Sequence, residues 1–130
     1  MSASRRRSQS VPRKQSKREQ RISDEIVVDA YGPEERAMGW YYYLESNLRF
    51  PLQAQCISRR ATSTLRVDEI VTIISLAPEE DCTADIIVLT RLGSRTFGVP
   101  LSQLKPGKTD AETAEAIADW RYWCARGYEF

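Results

Sequence analysis

The chain has 130 residues, room for one folded domain with little to spare. Its hydrophobic fraction of 42% supports a core only if some stretch of chain stays out of it. It has no histidine, so the commonest general base is missing and neither a Ser–His nor a Cys–His pair can be built.

The net charge of +1 conceals two regions of opposite sign. Residues 1–22 hold eight basic residues against Glu19, a balance of +7. Residues 23–130 hold eleven basic and seventeen acidic residues, a balance of −6. Each region is therefore read separately.

Cys56, Cys82 and Cys124 are odd in number and widely spaced. With no CxxC and no histidine they suit neither a disulfide framework nor a zinc site, and they read as free thiols in a reducing cytoplasm. No apolar run approaches the ~20 residues of a spanning helix. The arginines near the start have no apolar segment behind them, which argues against a secretory signal.

In chain order, residues 1–22 are polar and rich in Ser, Gln, Arg and Lys, with Val11 the only large apolar residue between Met1 and Ile22. Such a segment cannot bury enough surface to offset its ordering entropy, so it is predicted to be a disordered basic tail. Arg5–Arg7 and Arg13–Lys14 read either as reach toward an anionic partner, a nucleic acid or an acidic protein, or as a solubilising tail folded back on the acidic domain. Residues 23–130 are predicted to form a single acidic domain.

A first helix is predicted from Gly32-Pro33-Glu34-Glu35, where proline and two acids suit a first turn. Ala37, Tyr41, Leu44 and Leu48 recur at helical spacing, and Asn47 is a plausible terminator. Residues 50–59, 68–77, 84–91 and 95–99 read as short strands, with a tight turn at Leu92-Gly93-Ser94. Pro100–Leu104 reads as a 3₁₀ turn. A last helix is predicted over about 109–125, with Thr109 and Glu112 at capping-box spacing and Gly127 as its stop. Trp40, Trp120 and Trp123 read as core anchors. The fold class is α+β: a small SH3-like β-barrel of four to five strands flanked by an N-terminal and a C-terminal helix.

No nucleotide-binding loop or EF-hand loop is present, and paired carboxylates without a cleft do not suggest an enzyme. The acidic clusters carry more meaning. Asp68-Glu69 opens the second predicted strand. Glu79-Glu80-Asp81 fills the next loop, and Asp85 follows it. Glu112, Glu115 and Asp119 share one face of the last helix. Calcium takes six to eight oxygen ligands, which loops supply as carboxylates and carbonyls together; a helix face lends no carbonyls and is the weaker candidate.

Several runs resemble the CcbP-type calcium-binding protein family. They are Glu35 to Glu45 (ERAMGWYYYLE), Phe50 to Ala54 (FPLQA), Asp68 to Val71, Leu76 to Cys82, Val99 to Leu104 (VPLSQL), Ala116 to Trp123 and Gly127 to Phe130. The similarity spans about residues 33–130. It implies a small SH3-like barrel protein that binds calcium through an acidic surface and buffers or senses the free ion. The matching acidic positions are Asp68, Glu69, Glu79, Glu80, Asp81 and Asp119. With Asp85 from the loop reading, these form the expected ligand set. The basic tail, and Arg59, Arg60 and Arg66 just before Asp68, depart from the family pattern and are placed to pair with those carboxylates. The alternative is an SH3-like adaptor that binds a protein or nucleic-acid partner with the help of the tail.

Overall fold

The computed structural model describes residues 11–130. The disorder expected of residues 1–10, and their arginine cluster, lie outside the described residues. Residues 16–22, assigned to the same tail, are instead helical: α1 (Ser16–Arg21) runs into a π-helical turn over Ile22–Ile26. Six residues make no stable helix alone. Here the segment is held from outside, by Ile22 and Ile26 buried in the core and by ion pairs of its own Arg18 and Arg21 with Asp119 of the last helix.

Helix α2 (Pro33–Asn47) begins with Pro33 and places Glu34 and Glu35 in its first turn. Ala37, Trp40, Tyr41 and Leu44 form its buried stripe, while Met38 and Tyr42 stay exposed. Gly39 permits a close approach. A Cβ there would stand 2.2 Å from the carbonyl oxygen of Ile26, so only glycine lets the π-helical turn rest on α2.

Five antiparallel strands follow: β1 (Leu52–Cys56), β2 (Ile70–Leu76), β3 (Ile87–Leu92), β4 (Arg95–Pro100) and β5 (Leu104–Pro106). The sheet order is β4-β3-β2-β1-β5. Alternation puts Leu52, Ala54 and Cys56 of β1 inward, facing Val71 and Ile73 of β2. A register shift between Ile73 and Ser75 bends β2 toward β3. Leu92 pairs with Arg95 across a two-residue turn, and Gly93 there takes a φ of +64°.

Strands β4 and β5 lie at opposite edges of the sheet, yet one 3₁₀ turn, Leu101–Gln103, joins them. Four flat inter-strand gaps would separate those edges by ~19 Å. Four residues span at most ~14 Å. The sheet must therefore curl. The turn itself bridges the gap: Leu101 N–H donates to Ile86 O and Ile57 N–H donates to Gln103 O, each at 2.9 Å. A closed barrel was expected; the sheet is open, because β4 and β5 do not pair.

Helix α3 (Ala111–Ala125) is capped by Asp110, which accepts from Thr113 N–H at 3.1 Å, and not by the Thr109–Glu112 pairing. Trp120 and Trp123 meet Trp40 with ring centroids 5.0 and 5.5 Å apart. The three tryptophans thus fasten α2 to α3. Gly127, at φ +86°, ends the helix.

Candidate functional site

Asp68 sits in the turn before β2 with φ +78°, the left-handed region that Asp tolerates better than most residues. Its exposed carboxylate accepts from Gln55 Nε2 at 3.0 Å. Glu69 Oε1 accepts from Arg66 N–H at 2.7 Å and so braces its own loop. Neither carboxylate forms an ion pair among the described residues. Arg59 and Arg66 form none either, and Arg60 turns to Ser102 Oγ at 2.7 Å.

Glu79, Glu80 and Asp81 make one exposed 3₁₀ turn after Pro78. Like Asp68 and Glu69, they form no ion pair among the described residues. Tyr42 O–H donates to Glu79 Oε2 at 2.7 Å, which pushes the Tyr42 phenol above its ordinary value of 10.0. Glu79 and Glu80 line a groove of about 470 Å³ with Glu34, Met38, Tyr41 and Cys82 among its walls. Tyr41 O–H is turned away, donating to Ala77 O at 2.8 Å. Glu34, from the first turn of α2, thus lines the same groove as the acidic loop. The sequence reading used Glu34 only as a dipole partner. No sequence pattern signals that the start of α2 shares a groove with residues 79–80.

Asp85 is half-buried and faces a different cavity. Its Oδ1 accepts from Ile86 N–H at 2.8 Å. Burial raises its pKa, and the Ile86 amide and Arg60 oppose the rise.

Asp119 is fully buried, and its oxygens are spoken for. Oδ1 receives Arg18 Nη1 and Arg21 Nη2, each at 2.6 Å. Oδ2 receives Tyr43 O–H at 2.7 Å and Arg21 Nε at 3.2 Å. Burial, then the Asp119 bond, hold the Tyr43 phenol protonated well above its ordinary value. Glu115 shares the same arginines, 2.6 Å from Arg21 and 3.3 Å from Arg18. A buried carboxylate with two guanidinium partners and a phenol is a satisfied structural group. It leaves no oxygen for a metal.

The structure therefore divides the expected ligands. Glu79 and Glu80 open on one groove, Asp68 and Glu69 occupy a separate turn, Asp85 faces another cavity, and Asp119 is sequestered. Among the described residues, no three or more acidic or cysteine side chains stand close enough together to hold a metal as they lie. Cys56 and Cys82 are buried free thiols and Cys124 is half-buried. Among the described residues no helix is long and apolar enough to cross a membrane.

No curated protein matches the chain. Two solved structures do. The crystal structure of Anabaena CcbP is 38% identical, with a TM-score of 0.82, over 93% of this chain and 99% of that one. A calcium binding protein in its calcium-binding form is 39% identical, with a TM-score of 0.81, over 90% of this chain and 96% of that one. Residues 20–124 match the model of a family described as calcium binding, Calci_bind_CcbP. That match begins inside α1, whereas the resemblance in the sequence began near residue 33. By fold, by sequence and by length, the chain belongs to the CcbP calcium-binding family.

Proposed function

We propose that this protein binds calcium as a cytoplasmic, non-EF-hand buffer or sensor, and that the leading ligands are Glu79, Glu80 and Asp81, joined by Glu34 from the same groove. Family membership supports the ion. The observation that carries the site is the groove that Glu34, Glu79 and Glu80 line together, its loop carboxylates free of ion pairs among the described residues. Exposed carboxylates on a short loop re-aim at little cost, and calcium accepts irregular oxygen shells. Asp68 and Glu69 form a second, weaker candidate for an ion held at the surface. The folded domain then starts before residue 16, because Arg18 and Arg21 of α1 pair with Asp119 and Gln15 N–H donates to Tyr122 Oη at 2.9 Å. The adaptor reading draws no support from the relatives. Of the tail's basic residues, Arg18 and Arg21 are committed to α3 and unavailable to an anionic partner.

Calorimetric titration of the full chain with calcium in physiological salt tests this. Saturable binding, weakened at least about tenfold by the double variant Glu79→Gln/Glu80→Gln, is the expected result. An absence of saturable heat at millimolar calcium defeats the calcium reading. Undiminished binding by the double variant defeats the site while leaving the ion.

A further inference from the structure

A cavity of about 570 Å³ adjoins the acidic groove, with Thr83 lining both, and lies between the end of α3, residues 127–130 and the loop before β3. That volume is in the range of small-molecule sites. Trp120, Trp123 and Phe130 give it an aromatic floor, and Trp120 and Phe130 pack with ring centroids 5.7 Å apart. Arg60 and Asp85 stand in its walls, and a third charged residue of the lining, Glu129, is exposed to solvent.

These two charges are each fixed and each incompletely used. Ser102 Oγ holds the Arg60 guanidinium at 2.7 Å, and Ile86 N–H holds Asp85 Oδ1 at 2.8 Å. They form no ion pair with one another or with any other described residue. Leaving opposite charges apart in a half-buried cavity forgoes their attraction while keeping the desolvation cost. Burial accordingly raises the Asp85 pKa even with Arg60 nearby. Cys124, also in the wall, is pushed up to about 12 by burial, so it is a neutral thiol and contributes no charge.

We infer that this cavity binds a small zwitterion with a planar apolar body, the chemistry of a free aromatic α-amino acid. The carboxylate meets Arg60, the ammonium meets Asp85, and the ring lies on the Trp120–Trp123 floor. A lone anion would face Asp85 unpaired, and a lone cation would face Arg60 unpaired. A ligand carrying both charges satisfies Arg60 and Asp85 at once, and the exposed Glu129 is left to solvent.

The test uses the full chain in calcium-free buffer containing a chelator, with L-phenylalanine as probe because it adds no indole emission. Tryptophan fluorescence and calorimetry both read binding. Saturable binding is expected, at least about tenfold tighter than that of phenylpropionate, which lacks the amine, or of phenethylamine, which lacks the carboxylate. Arg60→Gln should abolish the preference over phenethylamine, and Asp85→Asn the preference over phenylpropionate. The unfolding midpoint of each variant confirms that it is folded. No saturable response at tens of millimolar L-phenylalanine overturns the inference. So do equal affinities for the three probes, or folded variants that keep both preferences.

Discussion

Arg21 grips Asp119 with two nitrogens: Nη2 lies 2.6 Å from Oδ1 and Nε lies 3.2 Å from Oδ2. The carboxylate is fully buried while the arginine side chain keeps 29% exposure, so the two partners are not equivalent. Removing the arginine leaves part of a buried charge uncompensated. Arg21→Ala is expected to cost about 2–3 kcal/mol in urea unfolding, with Arg18 and Tyr43 limiting the loss. Adding Arg18→Ala should cost more than the sum of the two single changes, since each arginine covers for the other. Strict additivity would mean that Asp119 does not depend on the pair.

Gly39 faces backbone, not a movable side chain. Gly39→Ala sets a methyl carbon where the Ile26 carbonyl stands and should push the π-helical turn off α2. We expect a loss of about 3 kcal/mol and faster amide exchange over residues 16–26 than elsewhere. A variant as stable as the parent would place the turn further from α2.

Two carboxylates give opposite responses to pH. The Thr113 hydroxyl, then its amide, hold Asp110 below its ordinary 3.8. A lowered folded pKa adds stability above 3.8 that is lost as pH falls through the folded value. Asp110→Ala should therefore lower the urea midpoint at neutral pH, and the gap should close under acid conditions.

Burial holds Asp85 above 3.8. Its contribution is present below 3.8 and is lost as pH rises through the raised value. Asp85→Asn should raise the urea midpoint at neutral pH and converge with the parent below 3.8. A midpoint lowered at neutral pH would reverse the assigned cause.

Tyr42 reports on the acidic groove. Its phenol stands high because it donates to Glu79. A cation on Glu79 competes for that oxygen and favours the phenolate, so the Tyr42 titration seen by ultraviolet absorbance should move down in saturating calcium. An unmoved titration would exclude Glu79 as a ligand.

The sheet was legible where side chains alternate: Leu52, Ala54 and Cys56, or the residues around Gly93, announce themselves locally. Helix α2 showed its stripe in the same way. The first helix did not, because its docking face is Arg18 and Arg21, and a sequence pattern counts arginine as solvated. Only the fold brings Asp119 to them. The proposed site was legible in part. Acidity picked out Glu79 and Glu80, while Asp119, on equal terms by composition, proves to be an interior structural group. Glu34 and the Arg60–Asp85 cavity depend on which loops meet, and that is decided by the curl of the sheet.

The arginine clasp on α3 also shapes the field that an ion meets on approach. In the chain the positive and negative charges are segregated; in space two of the positives lie directly over Asp119 and Glu115. The carboxylates of that flank are thus paired, while among the described residues those of the Glu79–Asp81 turn have no cationic partner. Long-range attraction draws a diffusing divalent cation toward the uncancelled face. The first helix thus orients the electrostatic landscape of a groove it never touches, and capture should slow with rising ionic strength.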